Sequence, residues 1–240
     1  MTQKTLLALA RLEIPEISDT DVISDINLLI FLNLACTEFI KMTDALPTSD
    51  TFDLVESQTE YALSTYVTNF GKIRREGLWL YNAENEKWEW MDPYTMVKLN
   101  RDFPTWLNSD DALPMRYTIE GNIINIHPNA SDTYAGTDYL KLYYYARSLD
   151  MDDDDDYPFS SSKTVQYPHL ADYEEILIDY VRYKALWMYG DRASAEEAKS
   201  MFVTRTLEAK QKMLYRPDLI DAMKAQGAGG INRAKSAFKV

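Results

Sequence analysis

The chain has 240 residues, 46% hydrophobic and 26% charged, with a formal net charge of −13 at pH 7 and an isoelectric point near 4.6. That length supports a sizeable core in one large domain or two small ones. The charge excludes a nucleic-acid binder that works by phosphate neutralisation, the single cysteine, Cys36, excludes a disulfide framework and a multi-cysteine zinc site, and no window approaches the ~18 apolar residues of a membrane span.

In chain order, residues 3–12 read as a short helix that Ile14 and Pro15 end. Its apolar run Leu6–Ala10 is too short for a secretory signal core. Ser18 to Asp21 resembles a capping-box start. From there Val22, Ile23, Ile26, Leu29, Ile30, Phe39 and Ile40 recur at helical spacing to about Met42. The stretch LLIFLNLAC is apolar nearly all round, which predicts burial on more than one side, against helices near the C-terminus.

After Pro47 the pattern changes to the alternation and aromatic richness of strands. Phe52–Val55 and Glu60–Leu63 are short strand candidates. Lys72–Tyr81, a turn at Asn82–Asn85 and Lys87–Trp90 predict a hairpin. Asp92 and Pro93 read as the N-cap and first turn of a short helix to about Leu99. Met115–Ile119 and Ile123–His127 flank Gly121 as a second hairpin, and Tyr139–Ala146 is a long Tyr-rich strand. Residues 148–166 read as an acidic linker around Asp150 and Asp152–Asp156.

Tyr167 to Leu214 predicts two helices with a tight turn. Tyr173, Ile176, Leu177, Tyr180, Val181, Trp187 and Met188 would form one apolar stripe, with Glu174 and Glu175 mostly off it. Gly190 suits a left-handed C′ position and Asp191 the next cap. Ala195, Ala198, Phe202, Thr206, Ala209 and Met213 line the second helix, where small residues permit close approach. Asp218–Gln226 adds a short helical piece. From Lys224 onward come four basic residues (Lys224, Arg233, Lys235, Lys239) and no acid.

The fold class expected is α+β: a helical bundle, made of N-terminal helices and a C-terminal helical hairpin, with an inserted antiparallel β-subdomain and an extended C-terminal tail. The expected segments are 1–47 (N-terminal helices), 48–147 (β-subdomain), 148–166 (acidic linker), 167–226 (helical hairpin) and 227–240 (basic tail).

Patterns for catalysis fail. Calcium loops starting at Asp150 or Asp152 lack the Gly and Glu that the sixth and twelfth positions need, so the acidic run reads as a solvated loop. Lys235-Ser236 resembles the end of a phosphate loop, but Ala234 stands where Gly is required and no strand leads in. His127 and His169 have no metal-ligand neighbours at the needed spacing, Cys36 reads as a buried thiol, and there is no GxSxG elbow. Trp79, Tyr81, Trp88 and Trp90 could form a sugar-stacking platform, although core or interface packing is the simpler reading. No cofactor, metal or catalytic residue is expected. A carbohydrate-binding module using the aromatic hairpin is the alternative, and an acid-pair hydrolase a weaker one.

Five stretches in order resemble a known family: TLLALARL with SDTDVISDINLLIFLNLACTEF; FDLVESQTEYALSTYV; WEWMDPYTMVKLNRDFPTW; GNIINIHPNASDTYAGTDYLKLYYYARSLDMDDDDDYPF; and YPHLADYEEILIDYVRYKALWMYGDRASAEEAKSMF. Together, across residues 4–215, they are similar to the bacteriophage head-to-tail adaptors, also called connector or neck ring proteins. The resemblance implies a non-enzymatic ring, commonly of about twelve subunits, in the virion neck between portal vertex and tail. Its partners would be the portal protein, copies of itself and a tail or nozzle protein below. Genome DNA would pass without specific binding, no membrane would be involved, and the chain would be made in the host cytoplasm. The C-terminal segment would reach the portal. Ile231, Arg233, Lys235, Phe238 and Lys239 supply apolar anchors and charge for such docking, at the ordering cost of a segment that folds on binding.

Overall fold

The computed structural model describes residues 1–14, 23–67, 69–106, 111–160, 163 and 166–214. Among these the protein is α+β, with seven helices and two four-stranded sheets. The chain divides into two compact units, Met1–Ala45 with Leu149–Val240, and Leu46–Ser148. The predicted piece at Asp218–Gln226 and the tail lie outside the described residues.

The helical unit begins with α1 (Gln3–Glu13), followed by the fully buried Ile14. α2 (Asp25–Thr43) starts later than the sequence pattern predicts. Ser24 is its N-cap and accepts a hydrogen bond from Asn27 N, so Ile23 precedes the helix; Ser18–Asp21 lie outside the described residues. Arg11 fixes this start by donating to Asp25 Oδ1 and to the Ile23 carbonyl, both at 2.6 Å. At the other end Asp44 adopts a left-handed conformation, and Lys210 Nζ donates to the Met42 carbonyl at 2.7 Å, a cation at a helix C-terminus.

By length and composition α2 could cross a bilayer, contrary to the reading of the sequence. Its packing is that of a core helix. Leu28, Leu32, Ala35, Cys36, Phe39 and Ile40 are buried, and α2 lies against α1, α6 (Ile176–Tyr189) and α7 (Arg192–Leu214). Burial is one-sided, however, with Ile26, Ile30 and Leu34 exposed on the other face.

A short α5 (Pro168–Ala171) precedes α6, which stops at Gly190 with φ +94°. Asp191 then accepts from Ser194 N at 3.1 Å, as a cap should. Tyr180 packs on Phe202 with ring centroids 5.0 Å apart, and Arg205 bonds Asp179 at 2.8 Å. Contact positions fall on α6 as they rise on α7, so the two helices run antiparallel. All six residues expected on the inner side of α7, from Ala195 to Met213, are buried. On α6 the stripe ends early: Leu186 is buried while Trp187 and Met188 are exposed. Glu174, expected outside, is only 2% exposed and is held by the Met1 ammonium and by Gln166 Nε2.

In the sheet unit, one sheet has the order β1 (Pro47–Leu54), β8 (Gly136–Ala146), β3 (Phe70–Asn82), β4 (Lys87–Trp90), all antiparallel. The other runs β2 (Glu60–Ala62), β7 (Ile123–His127), β6 (Arg116–Glu120), β5 (Asp92–Pro93). Both hairpins form, and Gly121 takes φ +58° in the tight turn between β6 and β7. Asp92 and Pro93 do not open a helix. They pair in parallel with Arg116 and Tyr117, and helix α4 (Met96–Asp102) is capped by Thr95 Oγ1, which accepts from Lys98 N. Thr95 takes the cap because pairing with Arg116 in the second sheet holds Asp92 in extended backbone. A short α3 (Leu63–Tyr66) follows β2. Phe52, Leu54, Tyr61, Leu78, Leu80, Leu140 and Leu142 form the buried side, and the Tyr61 hydroxyl bonds both backbone groups of Val55.

Candidate interaction surface

Strict alternation in β8 gives the first sheet two chemically different faces. Leu140, Leu142, Tyr144 and Ala146 are buried on one side; Tyr139, Lys141, Tyr143 and Tyr145 are half-buried on the other. Register then sorts the neighbouring strands. Leu80 opposes Leu140, Trp79 opposes Lys141 and Lys72 opposes Tyr145. Across β4, Trp90 opposes Trp79 and Trp88 opposes Tyr81. One open face therefore collects Trp79, Tyr81, Trp88, Trp90, Tyr139, Tyr143 and Tyr145.

Cations are laid across these rings. Lys72 Nζ is 5.3 Å from the Tyr145 ring centre, and Lys141 Nζ is 5.2 Å from Tyr143 and 5.9 Å from Trp88. The Arg74 guanidinium lies 5.8 Å from both Tyr143 and Tyr145 and bonds Glu76 at 2.8 Å. Such contacts stabilise by ~0.5–1 kcal/mol each where exposed and more where desolvated. Gly77, at φ +64°, lets β3 bulge here, and a Cβ at that position would collide with the Tyr117 hydroxyl.

Ring geometry decides between the two readings of the tryptophans. Tyr81 meets Trp88 and Tyr139 at interplanar angles of 61°, and Trp79 meets Tyr143 at 69°. Edge-on rings with cations over their faces do not make the flat platform on which a sugar stacks. They do make an aromatic surface of the kind enriched at protein interfaces. Trp88 and Trp90 remain 38% and 48% exposed, so the face has room to bury more.

The acidic run differs from a simple solvated loop. Asp152 to Asp155 are exposed, but Asp156 is buried, and its Oδ2 accepts from Asp152 N at 2.8 Å and Asp153 N at 3.0 Å. The carbonyls of Asp156 and Asp154 accept from Gln3 N and Lys4 N, filling the unpaired donors that every helix start presents. Asn33 bonds the Met151 backbone in both directions, and Phe159 is fully buried 4.7 Å from the Phe39 ring. Five carboxylates in a row hide this, because the anchors are one Asp, one Met and one Phe among them.

Other candidates stay structural. Burial pushes the Cys36 thiol up to about 12, which keeps it protonated and unreactive. His127 is 6% exposed, edge-on to Trp106 and beside Phe103. Burial, and then the Arg116 charge, lower its pKa below the ordinary histidine value. A cleft of about 550 Å³ lined by Phe103, Trp106, Met115, Arg116 and His127 lies beside it. His169 lies in α5 with its ring 5.8 Å from that of Tyr167. Among the described residues no group of three His, Cys, Asp or Glu is placed to hold a metal. The portal-docking candidates Ile231, Arg233, Lys235, Phe238 and Lys239 lie outside the described residues. Sequence reading found the aromatic hairpin but missed Lys72, Arg74 and Lys141 as part of the same surface; the alternation of Tyr139, Lys141, Tyr143 and Tyr145 is the signal that exposes it.

No curated protein matches the sequence. The family model described as SU10 adaptor protein matches residues 1–227, nearly the whole chain. Together with the aromatic, interface-like face and the order of elements, this places the chain: it belongs to the SU10 adaptor protein family, a family of structural phage head-tail adaptors.

Proposed function

We propose that this protein forms a closed ring in the neck of a tailed phage, joining the portal to the tail. The observation that carries the proposal is the family match over residues 1–227. A ring needs heterologous surfaces on each subunit, and the open sheet face supplies one that is large and aromatic. In this reading residues 3–42 and 168–226 make one helical bundle, residues 48–147 are the β-subdomain inserted in it, and residues 227–240 are the arm that docks on the portal. Ile231 and Phe238 anchor that arm, while Arg233, Lys235 and Lys239 supply charge. The acidic composition keeps passing DNA from adhering to the ring.

The location is tested by cryo-electron microscopy of particles carrying a small fusion on this protein. Extra density confined to the portal–tail junction is the expected result; density over the shell or along the tail shaft contradicts the reading. The arm is tested separately. Removing residues 227–240 leaves a folded chain that no longer binds isolated portal, and undiminished binding refutes the arm's role.

A further inference from the structure

The cleft of about 550 Å³ beside His127 lies within the sheet unit, where the open end of the β6–β7 hairpin meets the turn that follows α4. Register sets Arg116 directly opposite His127, so both side chains project from one face of the sheet. The Arg116 guanidinium lies 4.4 Å from the Phe103 ring centre and 5.7 Å from that of Tyr94. Among the described residues its side chain makes no ion pair and no hydrogen bond, and its Nε is buried without a partner. The carboxylate that borders the cleft, Asp102, is bonded instead to Arg101 at 2.8 Å. The Trp106 backbone approaches the His127 ring, yet Nδ1 is buried with no hydrogen-bond partner. Proteins pair the charges that they hold in apolar surroundings, and this cation has rings for neighbours in place of an anion. The remaining walls, Phe103, Trp106, Leu113 and Met115, are apolar or aromatic, and Met115, 52% exposed, leaves the cleft open to solvent. Clefts of roughly 300–1,000 Å³ with apolar walls and a few polar groups are the usual form of a ligand site.

We propose that this cleft binds an acidic residue flanked by an aromatic one, presented by a segment of a neighbouring virion protein. The carboxylate accepts from the Arg116 guanidinium, whose planar fork suits two parallel hydrogen bonds, and the ring packs among Phe103, Trp106 and Met115. A phosphate fits less well, because its two negative charges would meet one cation and apolar walls. A protein is the source that family membership favours, since an adaptor holds other proteins. The proposal rests on that membership and not on ring closure, so either can fail alone.

The test is a titration of the full chain with two blocked tripeptides, Phe-Asp-Phe and its neutral counterpart Phe-Asn-Phe, followed by nuclear magnetic resonance at the Trp106 indole and the His127 ring. Phe-Asp-Phe produces saturating shifts at both, and Phe-Asn-Phe binds about tenfold more weakly. This comparison uses the unaltered chain, so it stands even where a variant fails to fold. Arg116→Gln lowers the affinity for Phe-Asp-Phe about tenfold and leaves that for Phe-Asn-Phe unchanged, and Arg116→Lys recovers part of the loss. Absence of saturating shifts at Trp106 and His127, or equal affinity for the two peptides, overturns the proposal. Tighter binding of the free acid 3-phenylpropionate than of Phe-Asp-Phe also overturns it, by making a small carboxylic acid the occupant. A copy number per particle that contradicts the ring leaves these titrations unaffected.

Discussion

Glu174 and Asp156 in the helical unit are carboxylates closed off from water, each surrounded by donors, whereas Lys72, Arg74 and Lys141 in the sheet unit lie across rings at a face whose tryptophans stay half open. The two carboxylates complete an interior, whereas of the three cations only Arg74 is buried and Lys72 and Lys141 border the open face. The difference teaches where substitutions act: in the helical unit on folding, on the open sheet face on association.

The sharpest way to break that division is at the helical core. Phe39 is fully buried between Phe159 and Tyr173, with ring centroids at 4.7 and 6.2 Å. Phe39→Ala costs about 4 kcal/mol in denaturant unfolding. A value below about 1 kcal/mol contradicts the packing described. Asp156→Ala comes next, at about 2 kcal/mol, because two backbone donors lose a charged acceptor. A neutral effect in the same measurement would return the acidic turn to the status of a solvated loop.

Acidity sharpens the comparison within the sheet unit. Burial and the nearby Arg116 charge lower the His127 pKa below its unfolded value of about 6.5. Its neutral form is favoured in the folded state, so its contribution to stability is present above about pH 6.5 and is lost as pH falls through the lower folded pKa. His127→Gln therefore flattens the decline in stability between about pH 7 and pH 5. An unchanged slope assigns that decline to other groups. The smallest effect on folding belongs to Trp88→Ala with Trp90→Ala, each below about 1 kcal/mol, while incorporation into particles falls. The same double variant tests the carbohydrate reading, since a glycan binder would lose its ligand with these rings.

What the sequence made legible was what repeats. The α7 side from Ala195 to Met213, the Gly190 stop, the Asp191 cap and both hairpins follow from periods of 3.6 and 2 and from turn chemistry. The misreadings occur where a distant partner decides. Asp92 resembles a cap until β6 pairs with it, and Glu174 resembles a surface acid until Met1 and Gln166 reach it. The period of α2 reads back to Val22, but the helix begins at Asp25, where Arg11 holds Asp25 and Ile23. Half of the candidate surface was legible as the aromatic hairpin. The other half depends on the register that sets Lys141 beside Trp79 and Lys72 beside Tyr145, which pattern alone does not supply.

The central claim, one closed ring at a single vertex, is tested most directly by the copy number of this protein in purified particles, from quantitative mass spectrometry against the major capsid protein. The account predicts about a dozen copies per particle. Hundreds of copies, or none, would contradict it.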